Sequence, residues 1–268
     1  MSRSLSVIVI TLLSFGVYFF LSNRYFGDLR FLINAYIPDL GVSHLLTYLI
    51  ISVPIILGAS IINEFKRCQT TLGLNRSIIK GMLFPLVCTL PMFIGFAVFF
   101  AYNRNITSEE ILIGGVAAAF FEEFIFRGFL FGQLFRFTKL GFIPSVLLGA
   151  ILFASMHLYQ SLDFATLVGI FATTFMGAVL FAWLFVEWNL NLWVSIFLHF
   201  FMNLAWMLFD VSDHAFGGMT ANSFRMITIV LAIILTLVYK RKNGIPLAVN
   251  RDTIWMKPHR NCKEQPIR

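Results

Sequence analysis

Long apolar runs alternate with short polar breaks along the whole chain. Residues 5–21, 41–62, 81–102, 111–135, 143–159, 163–186, 191–209 and 225–240 each approach the ~20 residues a helix needs to cross a ~30 Å hydrocarbon core. Helices are the natural spans, because every backbone N–H and C=O must be paired inside lipid. The strict alternation of a membrane barrel is absent. The pattern predicts an all-α, polytopic membrane protein of about eight transmembrane helices around a central intramembrane cavity. The first run is long, weakly basic at its start and followed by no small-residue cleavage site, so it reads as a span rather than a signal peptide. Residues 24–40, "RYFGDLRFLINAYIPDL", are predicted to lie along the interface before the second span. There is no internal repeat and no soluble domain, and the polar tail 241–268 is predicted to be poorly ordered.

Composition strengthens the membrane assignment. Hydrophobic residues make up 59% of the chain and charged residues only 12%, against about 25% charged in a soluble domain. The net charge of +7 does not indicate a nucleic-acid partner, since the basic residues fall in loops and the tail, where orientation and lipid headgroups account for them. Arg3, Lys66, Arg67, Arg76, Lys80, Arg136, Lys139 and the tail from Lys240 onward fall on one side of the predicted topology; Arg24, Arg30, Arg104 and Arg225 fall on the other. This bias predicts cytoplasmic termini. Cys68, Cys88 and Cys262 form no CxxC pair and suggest neither a disulfide frame nor a zinc knuckle. "NIT" at 105–107 fits a glycosylation acceptor and reads as a loop on the outer face.

The fourth run is broken by Glu122, Glu123 and Arg127 near its middle. An ionisable residue at that depth costs about 2.5–3.5 kcal/mol by insertion scales. Glu123 and Arg127 are four apart with the acid first, the favourable order for a helical ion pair. Glu122 points elsewhere and has no local partner. The fifth run carries His157 with Phe153 one turn earlier, and the seventh carries His199 and Asn203 at i, i+4. His44, His214 and His259 lie at a span edge, in a loop and in the tail. A lone intramembrane His or Asn is as often interhelical glue as chemistry. An unpaired Glu, two histidines and an Asn on three spans are harder to explain that way. Ser155, Ser195, Thr173 and Thr174 can bond their own helix carbonyls, while Asp163 and Glu187 sit at span ends where water reaches them.

"EEFIFR" at 122–127, "FASMH" at 153–157 and "HFFMN" at 199–203 together resemble the EExxxR, FxxxH and HxxxN pattern of the CPBP or Abi family of intramembrane endopeptidases, which includes the CaaX prenyl protease and many bacterial proteins. The resemblance implies a catalytic core over 111–210, flanked by spans one to three and the interfacial segment in 1–110, and by the last span and basic tail in 211–268. It implies that Glu122 and His157 activate water, that His199 and Asn203 stabilise the oxyanion, and that Glu123, Arg127 and Phe153 support them. It also implies an integral protein of the bacterial inner membrane whose partners are the bilayer and a membrane-anchored peptide or protein.

The residue types suit that chemistry. A carboxylate taken out of water is a better proton acceptor, and imidazole and amide N–H groups can donate to an oxyanion. No serine or cysteine is placed as a nucleophile; Cys88 is the only cysteine within a span and has no evident base. Glu122, His157 and His199 could instead hold a zinc with an open fourth position. However, neither HExxH nor an equivalent helix occurs, and a mechanism needing no cofactor is favoured. The charge bias opens the cavity toward the exterior, whereas prenylated CaaX tails arrive from the cytosol. A membrane-anchored or secreted substrate is therefore favoured over a prenylated one. The competing readings are a prenyl protease, a zinc-dependent hydrolase, a transporter (disfavoured by the lack of repeats) and a non-enzymatic scaffold or bacteriocin-immunity protein.

Overall fold

The computed structural model describes residues 2–257, and all regular secondary structure among them is helical. His259, Cys262 and the end of the basic tail lie outside the described residues. Six helices are long and apolar enough to span a membrane: Arg3–Tyr36, Leu40–Asn63, Ile78–Phe99, Phe142–Gln160, Phe164–Glu187 and Met219–Lys242. The two that carry EExxxR and HxxxN fall outside that count. The first, over 108–137, holds the intramembrane charges in a changing helical winding, and the second, Leu192–Leu208, has only 17 residues.

Helix α1 is Arg3–Tyr36, one unbroken helix of 34 residues. At 1.5 Å per residue that is about 50 Å, well beyond one hydrocarbon thickness. Residues 24–36 thus continue the first span instead of starting a separate interfacial element. The second apolar run is two helices, α2 Leu40–Ile51 and α3 Val53–Asn63, meeting at Ser52. Pro54, at the start of α3, has no N–H to continue the ladder, which explains the break. Helix α4, Ile78–Phe99, runs through Pro85 and Pro91, and the Thr89 hydroxyl donates to the Pro85 carbonyl at 2.9 Å. Gly81 lets α4 cross close to the later Leu192–Leu208 helix: a Cβ there would come within 2.4 Å of the Trp193 Cβ. Small residues permit such approaches where lipid offers no hydrophobic drive.

Residues 108–137 form α5, followed by α6 Phe142–Ser155, α7 Phe164–Glu187, α8 Leu192–Leu208 and α9 Met219–Lys242. Their ends segregate as the alternating topology requires. At one end, Ser4 Oγ accepts from Lys139 N at 3.2 Å and Asn191 Nδ2 donates to Ser77 O at 3.0 Å. There too Arg136 Nη1 donates to Thr71 O at 2.5 Å, and burial beside Arg76 lowers the Arg136 pKa to about 10. At the other end, Asn103 Nδ2 donates to Met207 O at 3.1 Å and Gln160 Oε1 accepts from Ala215 N at 2.7 Å.

The tail as far as Lys257 is not the loose segment its composition suggests. Gly141 and Phe142 donate backbone bonds to Trp255 and Thr253 at 2.7 and 2.8 Å. Glu187, buried, accepts from Lys240 Nζ and from the Ala248 and Val249 amides. A span-end carboxylate expected to meet water therefore anchors the tail to the bundle. A buried carboxylate with this many donors is the arrangement that offsets its desolvation.

Candidate active site

Helix α5 begins in a capping box. Thr107 Oγ1 accepts from the Glu110 amide at 3.1 Å and Glu110 Oε2 accepts from the Thr107 amide at 2.9 Å, which satisfies two orphan donors. The helix then changes winding repeatedly. Ile111–Ala117 is a π-helix, Ala118–Glu122 is α-helical, Glu123–Phe131 is again π, and Gly132–Phe137 returns to α. The wider π turn, with i→i+5 bonds, is rare in long runs and concentrates at functional sites. The change falls between the two glutamates, so the adjacent acids sit on opposite sides of a switch in helical pitch.

Their environments differ accordingly. Glu123 is fully buried; its Oε1 lies 3.1 Å from Arg127 Nη1 and 2.9 Å from His199 Nδ1. The predicted i, i+4 ion pair is present, with a histidine from α8 as its third member. The Arg127 guanidinium sits 4.4 Å from the Phe153 ring centre and 5.5 Å from that of Phe181. Two ring faces thus take the place of further hydrogen-bond partners around a cation inside the bundle. Glu122 keeps 23% of its side chain exposed, and its Oε2 lies 3.9 Å from His199 Nε2. That oxygen is buried without a hydrogen-bond partner. Glu122 is the accessible acid of the pair.

His199 therefore bridges the two acids. Because a carboxylate only accepts, His199 Nδ1 carries the proton it shares with Glu123, and Nε2 faces Glu122. Four residues on, Asn203 Nδ2 donates to the Gly114 carbonyl at 2.9 Å, which ties α8 to the first π stretch. One amide hydrogen of Asn203 remains for another acceptor.

His157 lies at the end of its span, as expected, but not within a continuous α-helix. The α-helical part of the Phe142–Gln160 span ends at Ser155, so His157 lies in the turn between α6 and a short 3-10 turn at Leu158–Gln160, still within the span. Its Nδ1 bonds the Phe153 carbonyl at 2.7 Å, and its ring lies 4.6 Å from the Phe153 ring. A carbonyl only accepts, so Nδ1 carries the proton of this bond and Nε2 is left for another partner. Among the described residues no hydrogen bond or ion pair joins His157 to Glu122; His199 is the imidazole nearest the exposed acid. The FxxxH spacing acquires a physical meaning here. Phe153 orients His157 through its carbonyl while its ring covers Arg127.

Two contributors lie outside the motifs. Phe181 on α7 covers both Arg127 and the His199 ring, the latter at 5.5 Å, and its carbonyl accepts from Ser195 Oγ at 2.9 Å. Nothing marks Phe181 among the 32 phenylalanines of the chain. Tyr48 stacks on Phe121, the neighbour of Glu122, with ring centres 4.6 Å apart.

A carboxylate that is partly exposed and adjoins a buried cation can take a proton from water. Residues 104–205 match the model of the type II CAAX prenyl endopeptidase Rce1-like family. That family is one of proteases, and its segment here contains Glu122, Glu123, Arg127, Phe153, His157, His199 and Asn203. The Rce1-like segment covers α5 to most of α8 and stops short of α1–α4 and α9. No curated protein and no solved structure matches the chain. Among the described residues no group of three His, Cys, Asp or Glu is gathered as a metal-binding set. Glu122, His157 and His199, the three ligands a zinc reading requires, do not form such a group.

Proposed function

We propose that the protein is an intramembrane endopeptidase that hydrolyses a peptide bond of a membrane-anchored or secreted substrate by activating water directly. The carrying observation is the split between adjacent acids: Glu123 is locked to Arg127 and His199, while Glu122 is partly exposed and unbonded at Oε2. Glu122 takes a proton as water adds to the carbonyl carbon, then gives it to the leaving amine as the C–N bond breaks. The free amide hydrogen of Asn203 donates to the oxygen on which charge develops, joined by His199 Nε2 when that ring takes a second proton between the two acids. His157 presents Nε2 to the same water and relays its proton. A catalytic hydrogen bond that is long in the free enzyme shortens when substrate fills the site.

Access follows from the ends of the bundle. His157 lies just beyond the end of α6, and Asn203 bonds Gly114 near the start of α5, so the site sits toward the end that carries the loops around 103, 160 and 215. The basic residues collect at the opposite end, which we assign to the cytoplasm. The cavity then opens to the exterior, which favours an anchored or secreted precursor over a prenylated cytosolic tail. A reporter enzyme fused after Lys242 is expected to be active only as a cytoplasmic fusion; exterior activity would reverse this assignment and restore the prenylated substrate.

The activity itself is tested with the full chain in lipid bilayers, incubated with a panel of anchored peptides, the cut being located by mass spectrometry. Cleavage is expected at one or few bonds close to the anchor, and it should persist after exhaustive chelation. Loss of cleavage on chelation, restored by zinc, would replace water activation by Glu122 with the metal alternative.

A further inference from the structure

Helix α6 carries Phe153 and, just past its end, His157, yet no side chain caps its start: Gly141 stands at the N-cap, and Pro144 brings no N–H. The first amides of a helix have no intrahelical acceptor, and here they find one in the tail. Gly141, Phe142 and Ile143 N–H donate to the carbonyls of Trp255, Thr253 and Ile254 at 2.7, 2.8 and 2.9 Å. The first intrahelical bond, Ser145 N to Gly141 O at 3.2 Å, follows directly, so every amide of the helix start is satisfied. Leu140 pairs with Met256 in an antiparallel bridge beside them. Further back, the tail is held by Glu187 at the end of α7, which accepts from the Ala248 and Val249 amides at 3.0 and 2.9 Å. Residues 248–257 are therefore a strap from the end of α7 to the start of α6. Trp255 and Met256 are exposed, and the strap grips α6 through its backbone.

We propose that this strap, which lies outside the Rce1-like segment, is a positioning element of the active site: it sets the height of α6, and so of Phe153 and His157, against Arg127 and Glu122. The inference rests on the hydrolytic reading above. Helix α6 is a rod of 14 residues, about 21 Å at 1.5 Å per residue, so a shift at its start is delivered at its end. Along the shaft its contacts with α5 are apolar. Gly149 faces Leu130, a Cβ there lying 3.4 Å from Leu130 Cδ2, and the Phe153 ring meets that of Phe126 edge-on at 5.3 Å. Apolar contact is non-directional and lets a helix slide, whereas the three strap bonds are directional and fix its register. The approach is closest at Gly141, where a Cβ would come within 2.5 Å of Trp255 C and 2.6 Å of Thr253 O. Both are backbone atoms, so no side chain can swing aside to make room.

Two forms of the full chain part the strap from α6. Gly141→Ala suits the extended backbone at that position and disturbs the contact alone. A protease site placed in the exposed turn at Gly244 lets the strap be cut from α9 after the protein has folded. In both, the amides of Phe142 and Ile143 should exchange with heavy water about tenfold faster or more, read by mass spectrometry on peptides covering 140–146. We expect kcat for an anchored peptide to fall about 10–10²-fold, the scale of a ~1 Å misplacement, with KM close to wild type. A synthetic peptide of residues 245–257 should restore kcat to the cut protein but not to Gly141→Ala, a rescue that general destabilisation would not show. Fast exchange with wild-type kcat in both forms would make the strap a passive cap and overturn the positioning role. Unchanged exchange in both would show that the strap does not hold α6, and would overturn it as well. A wild type that cuts nothing, while exchange still responds, would remove the hydrolytic reading and the positioning role with it, and leave the cap standing.

Discussion

Glu122→Gln is expected to abolish peptide hydrolysis, by about 10²–10⁴-fold or more, while the protein folds as well as wild type. Gln has nearly the same shape but cannot accept the water proton, so the general-base contribution is lost outright. Stability should hold because Glu122 contributes little to the packed core: its Oε2 has no hydrogen-bond partner and stands 3.9 Å from His199 Nε2. Replacing a partly desolvated charge by a neutral amide removes a burial cost without breaking a bond. The check is a pair of measurements on one preparation, initial cleavage rate and thermal unfolding. A rate near wild type would show that some other group takes the proton. A large loss of stability would show Glu122 to be a structural anchor. The same variant also separates the enzyme from a scaffold or immunity protein, since a scaffold would keep its phenotype with an intact fold.

Glu123→Ala should do the reverse at the level of the fold, destabilising the protein by about 3–5 kcal/mol. Removal of one partner of a buried ion pair leaves the other charge uncompensated. Here the group left behind is Arg127, 2% exposed, packed against the faces of Phe153 and Phe181 with no hydrogen-bond partner at Nη1 or Nη2. His199 also loses the acceptor that fixes its ring, so activity falls as a consequence of misplacement. The combined variant Glu123→Leu, Arg127→Met should recover part of the stability lost by Glu123→Ala, because it removes the stranded charge as well. Unfolding in detergent, followed by far-UV circular dichroism, measures all three proteins. Equal melting of Glu123→Ala and wild type would contradict the structural role of this carboxylate.

How far the sequence foretold the site depends on how local each cause is. The Glu123–Arg127 pair was legible because helical spacing alone brings i and i+4 together, and the helices themselves were legible as apolar runs. That Glu122 stands apart from this pair followed from its angular offset. The π winding of Glu123–Phe131 was not legible, since it arises from how α5 packs among its neighbours and no residue type announces it. Phe181 and Tyr48 were equally hidden, because an aromatic in a chain this rich in phenylalanine gains meaning only from what it touches. His157 was expected within its helix; the α6 helix stops two residues earlier, in a turn that keeps the Phe153 contact by a backbone carbonyl. The unbroken run of α1 past Arg24 and Asp28 and the anchoring of the tail through Glu187 depend on tertiary partners that periodicity does not contain.

The most direct trial of the account is mass-mapped cleavage of an anchored peptide in heavy-oxygen water, by bilayer-reconstituted wild type and Glu122→Gln side by side. Wild type should yield one new C-terminus labelled from the solvent, and the variant, equally folded, essentially none. The same labelled product from Glu122→Gln at a comparable rate would contradict the assignment of that carboxylate as the base.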